Sequence, residues 1–437
     1  MTTATKLRLP GEANTVLQYT SLSETAVDGP LVITSGKGNR LTDIDGREYI
    51  DAVNGLFNVN IGYGRPELAE VAADTMRRLS FGSSYFGRST VEALELAEKL
   101  ASITPVGIDR FMLTVGGSDA NDTAIKLIRH GNILAGKPNK MMVIARRDGF
   151  HGMTIAGTTM TGIGSLRDVI GPLMPGVVHI GQPGPAGDNA TAAELEAKIL
   201  ELGPENVAAF IAEPVSLPPG LAIPPADYWP AIRDVCTRYD VRLIADEVIN
   251  GFGRTGKMFA SEHWNINPDV LTLSKGITSG YLPLGAVGIS DDLFQALYAS
   301  DSAMPHGFTG GGHVVASAVA KANIEIIENE GLVDNAATVG EYLNSALATF
   351  AAEHSSVIST RSLGMLAGFD VDGVQITGDA ATAGKAGYAI LAELTKVGVL
   401  VRPYGNTIVF GPALSTTREE IDEILARIGE TLERLQK

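Results

Sequence analysis

VRLIADEVI (241–249) and VLTLSKG (270–276) are short apolar runs, each ending in residues that carry chemistry. Outward from this pair the same pattern recurs: FMLTV (111–115), MMVIA (141–145), VAAFIAEPV (207–215) and LGAVGIS (284–290). Helix-like segments separate these runs. Continuous apolar strands alternating with helices predict an α/β fold, a mostly parallel sheet covered on both faces. Ligands in such sheets bind beyond the carboxyl ends of the strands, so the polar residues just after each run are the ones to read.

The flanking segments look different. Residues 31–53 read as short strands joined by turns at Gly36, Gly38 and Asp45-Gly46, and 66–78 and 90–103 carry helical periodicity. After about 315 the pattern is α+β: a helix over 314–329, a second through EYLNSALATFAAE, short strands, and a closing helix from about 417 to 436. Ile421, Ile424, Leu425, Ile428 and Leu432 share one face of that helix and predict packing against a core. The expected division is a segment 1–60 that joins a small domain, a large ligand-binding domain 61–315, and a small α+β domain 316–437.

A net charge of −16 argues against nucleic acid or an anionic membrane as a partner, since both demand a positive field. One phosphate can still bind at the N-terminus of a helix. The lone Cys236, in AIRDVCTRY, reads as a buried helix position rather than a nucleophile. The opening MTTATKLRLPGEAN lacks the apolar core of a secretion signal, and no stretch is long enough to span a bilayer, so a cytoplasmic enzyme is expected.

Lys275 ends one of the buried runs. Most lysines are solvated surface charges, but here the amine would face the crevice, partly desolvated, with a lowered pKa suited to imine chemistry. Asp246 ends another run and faces the same crevice. It is either a local structural carboxylate or the partner of a pyridine nitrogen, and a lysine paired with such a carboxylate is the pattern of a pyridoxal-phosphate site. In VGGSDANDTAIKLIRH (115–130) a strand runs through Gly116-Gly117-Ser118 straight into a helix. Ser118 or Asp119 is expected to cap it, and its free N–H groups suit a phosphate. In DGFHGMTIAG (148–157) Phe150 can stack on a planar ring; His151 has no second ligand at metal spacing, so no metal is expected.

Together these motifs resemble the class III aminotransferases, pyridoxal-phosphate enzymes of fold type I, from about residue 30 to the C-terminus. IADEVINGFGRTG (244–256) and LTLSKGITSGYLPLGAV (271–287) are the densest part, with GGSDANDTAIKL and GFHGMT in the family's order. The resemblance implies a seven-stranded type of sheet and a smaller α+β domain. It makes Lys275 the Schiff-base lysine and proton shuttle, and Asp246 the partner of the ring nitrogen. Val248 and Phe150 would pack on the two ring faces, Gly117 and Ser118 would hold the phosphate, and His151 and Glu213 would complete the cofactor's surroundings. Thr309, in HGFTGGGH, would reach the phosphate of a neighbouring subunit, which implies a homodimer with shared sites or a tetramer built from it. Phe57, Tyr85 and Arg402 match substrate-binding positions, Arg402 for the substrate's carboxylate.

Departures refine this. The stacking position carries Phe150 rather than the usual tyrosine, Asp119 replaces a glutamate, and TGGGHVV differs around Thr309. After Glu213 the chain reads PVSLPPG, without the further glutamate of the 4-aminobutyrate and ornithine branch. The expectation is therefore ping-pong transfer of an amino group from an amine or ω-amino acid to a 2-oxo acid, pyruvate in particular. Aminomutase, decarboxylating-transaminase and racemase reactions share the cofactor residues and remain alternatives. A non-catalytic scaffold would not need intact Lys275 and Asp246. Gly251-Phe-Gly-Arg-Thr-Gly256 also matches a dinucleotide fingerprint, but Asp246 and Glu247 put negative charge where a pyrophosphate would sit.

Overall fold

The structure is a computed structural model that describes residues 9–21, 23, 29–300 and 303–436. Near the N-terminus Ile33–Lys37 (β1), Arg40–Asp43 (β2) and Glu48–Asp51 (β3) form an antiparallel meander. The large sheet follows: Ile108–Thr114 (β4), Met142–Arg146 (β5), Val177–Ile180 (β6), Val207–Ala212 (β7), Arg242–Asp246 (β8), Val270–Leu273 (β9) and Gly285–Ser290 (β10). Its seven strands lie in the order β4-β10-β9-β8-β7-β5-β6. Only β10 runs antiparallel, to both of its neighbours; the other pairs are parallel.

The apolar runs become strands because both faces are covered. Every residue of β7 is buried. On one face the helix Gly117–Leu134 sets Ala124, Ile125 and Ile128 against Ile211, Ile244 and Val287. On the other, Ala192–Leu202 and Tyr228–Arg238 set Leu195, Trp229 and Ile232 against Phe210 and Leu243. Cys236 lies fully inside this second layer. The strand β6 is the one the apolar runs do not reveal. It is a four-residue edge strand, VVHI, with only its last residue fully buried, so it shows neither a long apolar run nor a clean alternation.

The helix over 117–134 corrects an expectation. Its N-cap is Gly116, and no side chain caps it. The helix begins earlier than the capping chemistry suggests, which leaves Ser118 and Asp119 inside the first turn. Ser118 Oγ instead accepts a hydrogen bond from the Met153 backbone N–H at 3.1 Å. The first-turn N–H groups are therefore left without a side-chain acceptor.

Toward the C-terminus come Val357–Leu363 (β11), Leu366–Val371 (β12), Val399–Leu400 (β13), Arg402–Tyr404 (β14) and Thr407–Phe410 (β15). The order β11-β12-β15-β14 makes one antiparallel sheet, while β13 leaves it to pair in parallel with β3. The N-terminal meander and the C-terminal part thus share a sheet. The closing helix, Arg418–Leu435, starts at a capping box in which Thr417 Oγ1 accepts from the Glu420 N–H at 3.3 Å. All five residues of its apolar face are buried.

Candidate active site

The carboxyl ends of β4, β5, β7, β8 and β9 open onto one cavity of about 170 Å³. Lys275 stands two residues past the end of β9, in a tight turn over Lys275–Ile277. Its φ of 48° lies in the left-handed region, which costs a non-glycine residue about 1 kcal/mol. Neighbours pin the turn: Ser274 Oγ donates to the Leu284 carbonyl at 2.8 Å, and Asn323 Nδ2 donates to the Gly276 carbonyl at 2.8 Å. The lysine amine is held at the cavity without a carboxylate in ion-pair range among the described residues. Desolvation lowers its pKa to about 8; Asp246 and Glu213 oppose the fall, and Arg254 adds to it.

Asp246 ends β8 and is 2% exposed. Its Oδ2 accepts from Asn121 Nδ2 and from His151 Nδ1, both at 2.8 Å, and its Oδ1 accepts from the Val248 N–H at 3.1 Å. Asn121 reaches it from the second turn of the helix over 117–134 and also donates to the His151 carbonyl at 2.9 Å. His151 is buried with Nε2 3.7 Å from Glu213 Oε2. Burial by itself would pull the imidazole's pKa down, but Glu213 and Asp246 outweigh it and the net shift is upward. The imidazole is therefore bracketed by two carboxylates.

Glu213 follows β7. Its Oε1 accepts from the Phe150 N–H at 2.9 Å and Ser216 Oγ at 3.0 Å, and Arg146 meets its Oε2 at 3.4 Å. Arg146 is 1% exposed and also donates to the Glu213 carbonyl. Removing either partner would leave a buried charge uncompensated. Gly117 and Ser118 lie at the helix start on the cavity wall. A Cβ at Gly117 would stand 2.9 Å from Val248 Cγ1, so only glycine lets the backbone come this close. Gly152, with a φ of 116°, likewise admits no side chain; its Cβ would stand 2.4 Å from Ser118 Oγ.

Eight expected cofactor residues, Gly117, Ser118, Phe150, His151, Glu213, Asp246, Val248 and Lys275, thus line a single cavity. A pyridoxal phosphate suits this donor set. There is a glycine cradle beside free helix N–H groups for a phosphate, an aromatic and a branched side chain for ring faces, and a buried carboxylate and an amine for the two reactive ends. His151 Nε2 and Asn121 Oδ1, buried with no hydrogen-bond partner, mark a polar floor still able to take one.

Four other expected residues do not meet there within one chain. Phe57 is 4% exposed and packs behind the wall, in a cluster with Val215 and Leu217. Tyr85 lines a separate depression with Phe86, Met304 and Phe308. Thr309 is exposed and outside the cavity. Arg402 lies at the start of β14 against Tyr19 and Tyr404. Asn121 and Arg146 were missed by the strand-end reading. Asn121 has one sequence signal, a position one helical turn beyond the glycine cradle; Arg146 has only its place at the end of MMVIAR. The glycine run over 251–256 is a chain of turns followed only by a four-residue 3-10 helix, Ala260–His263, and not by an α-helix. Its Arg254 is buried and donates to the carbonyls of Gly411 and Pro412 and to Asn60 Oδ1, which ties this turn to two distant segments and leaves no dinucleotide cradle.

The family model described as aminotransferase class-III matches residues 22–432. A putrescine–pyruvate aminotransferase of Pseudomonas aeruginosa is 37% identical over 93% of this chain and 91% of its own. A diaminobutyrate–2-oxoglutarate transaminase of Halomonas elongata is 40% identical over 91% of this chain and 88% of its own. The omega transaminase of Pseudomonas jessenii, solved in complex with PMP, superposes with a TM-score of 0.92 at 35% identity, covering 97% of each chain. The chain therefore belongs to the class III aminotransferases and is a pyridoxal-phosphate-dependent transaminase of fold type I.

Proposed function

We propose that this transaminase takes its amino group from an amine or ω-amino acid and delivers it to pyruvate in a ping-pong cycle at one site. The observation that carries the reading is the single cavity in which Lys275, Asp246, Glu213 and the Gly117-Ser118 cradle meet. Beyond Glu213 its wall is Val215, Leu217, Pro218 and Ile249. An apolar donor substituent and a small acceptor with one carboxylate suit such a wall; a second carboxylate there would lose its hydration without a cation to replace it. This favours pyruvate over 2-oxoglutarate, the two acceptors that the relatives' names carry.

When bound, pyridoxal phosphate supplies an electron-withdrawing ring that stabilises negative charge at the substrate carbon. The chain's residues do the rest. Gly117 and Ser118 would hold the phosphate, and Val248 and Phe150 would flank the ring. Asp246, oriented by Asn121 and His151, would offer its carboxylate to the ring nitrogen and keep it protonated. Lys275 Nζ, with its lowered pKa, would hold the cofactor and, as a free amine, would take and return the substrate's proton. Arg146 and Phe150 fix Glu213 beside this pair.

The reading includes a homodimer in which Thr309 and Tyr85, exposed or in a separate depression here, complete the partner's site, with Phe57 and Arg402 serving the substrate. It also includes the division at about residues 60 and 315, supported by the pairing of β3 with β13. None of the described helices is long and apolar enough to cross a membrane, and the location proposed is the cytoplasm. The test is the cofactor's visible band. It should bleach with an amine and return with pyruvate faster than with 2-oxoglutarate, and Lys275→Ala should abolish both changes. A band restored only by 2-oxoglutarate would overturn the acceptor.

A further inference from the structure

The turn that presents Lys275 rests on a brace, and the brace leads to a second cation. A Cβ on Gly276, the residue after the lysine, would stand 2.6 Å from Asn60 Nδ2 and 3.0 Å from Phe252 Cβ, so the turn lies directly on these two residues. Asn60 is fully buried; its Nδ2 donates to the Phe252 carbonyl at 2.8 Å, and its Oδ1 accepts from Arg254 at 2.8 Å. A single amide group thus lies between the Arg254 guanidinium and the lysine's turn. Arg254 is itself fully buried, its other acceptors are the Gly411 and Pro412 carbonyls, and among the described residues no carboxylate lies in ion-pair range of it. Asp51, the carboxylate that acts on it from a distance, already accepts the N–H groups of Val53, Asn54 and Gly55 and the Tyr63 hydroxyl. Burial pulls the guanidinium's pKa down to about 9, so it keeps its charge at neutral pH.

A guanidinium without a counter-charge is costly to keep in the interior, because only neutral dipoles replace its lost hydration. Lys275 shares its cavity with two carboxylates, Asp246 and Glu213, with His151 between them and Arg146 paired to Glu213. Those carboxylates favour the ammonium form, whereas the reaction needs a free amine. Burial does most to oppose them, and among the neighbouring charges Arg254 works in the same direction as burial. We propose that Arg254 is a positioning residue for Lys275: bound through Asn60 beneath the lysine's turn, its unpaired charge holds the lysine as the neutral amine. This rests on reading Lys275 as the amine that carries the cofactor and moves the substrate's proton.

The experiment reads two quantities: the pH midpoint of Lys275 labelling by an amine-selective reagent on the full-length protein freed of cofactor, and the acid limb of the amine half-reaction on the holoenzyme. Arg254→Met removes the charge at similar side-chain length and should raise both by about half a pH unit or more. Arg254→Lys keeps a buried cation while breaking the guanidinium's fork of hydrogen bonds, and should stay nearer to the wild type than Arg254→Met. The melting temperature reports the packing cost separately. A merely structural arginine would lower the melting temperature in both variants and leave both pH readings where they are, and that result overturns the proposal. So does an equal rise in both variants, which would trace the effect to the lost hydrogen bonds and not to the charge. Where Arg254→Met does not fold, Asn60→Asp decides. It keeps the arginine and gives it a carboxylate in place of the amide oxygen, so the midpoint should rise, and no rise overturns the proposal. The labelling midpoints are read without cofactor and so test Arg254 by themselves. If Lys275→Ala leaves the cofactor band bleaching with an amine and returning with pyruvate, the reading of Lys275 fails whatever the midpoints show.

Discussion

The lowered pKa of Lys275 can be measured without the cofactor. An ordinary lysine titrates at 10.5, and burial brings this one to about 8. At pH 7 the neutral share is then about 9%, against about 0.03% for a solvated lysine, an advantage of about 300-fold. The assay is trace labelling of the apoprotein with an amine-selective reagent across about pH 6 to about pH 11, read peptide by peptide by mass spectrometry. Lys275 labelling should reach half its plateau near pH 8, well below the 10.5 of an ordinary lysine. The midpoint is read rather than the amplitude, because burial also limits the reagent's access. The neighbours set the sign of the next step. A carboxylate favours the ammonium form, so Asp246→Asn should move the midpoint below that of the wild type. Glu213→Gln should act in the same direction and less, since Asp246 is the larger of the two influences. A Lys275 midpoint near 10.5 would refute the desolvation argument, and an upward move in Asp246→Asn would refute the assignment of its charge.

Other consequences follow from the same site. Gly117→Ala puts a Cβ 2.9 Å from Val248 Cγ1, an overpacking that should cost about 1–3 kcal/mol and press Val248 into the ring's space; a lower melting temperature and faster loss of cofactor on dialysis are expected, and wild-type values in both would count against the cradle. Glu247 is fully buried, and desolvation raises its pKa to about 7 although Ala260 and Ser261 donate to it. Its folded pKa lies above its ordinary 4.5, so between these values the folded protein holds the extra proton and stability falls as pH rises, by about 3 kcal/mol in all. Urea unfolding of Glu247→Gln across that window should lack this slope; an unchanged slope would assign it elsewhere. His151→Asn should leave Asp246 short of a donor and slow the amine half-reaction more than it weakens amine binding; equal effects on both would make His151 a packing residue only.

What could be read along the chain is local. Lys275, Asp246 and Glu213 each close a buried run, and a strand covered on both faces carries whatever follows it to the same edge of the sheet. The Gly116-Gly117-Ser118 helix start is legible for the same reason, since strand, turn and helix are contiguous. The edge strand Val177–Ile180 escaped because one buried residue is too little pattern. Ser118 was misread as a cap because only the folded turn shows that Gly116 already ends the extended strand and that Met153 takes the hydroxyl. The polar network under the site lies beyond any local reading. Asn121 meets Asp246 across 125 residues, and Arg146 meets Glu213 across 67. Whether a buried histidine is a charge, a ligand or packing depends on which carboxylates the fold brings to its two nitrogens, here Asp246 and Glu213. Arg402 is the sharpest case. Its residue type announces a cation, but only the fold sets its guanidinium against Tyr404 of its own strand and Tyr19 from the far end of the chain. Hydrophobic periodicity is a property of neighbours in sequence and so decided the sheet, its strand ends and the residues placed there. Electrostatic environment depends on distance in space, and only the closed tertiary structure decided it.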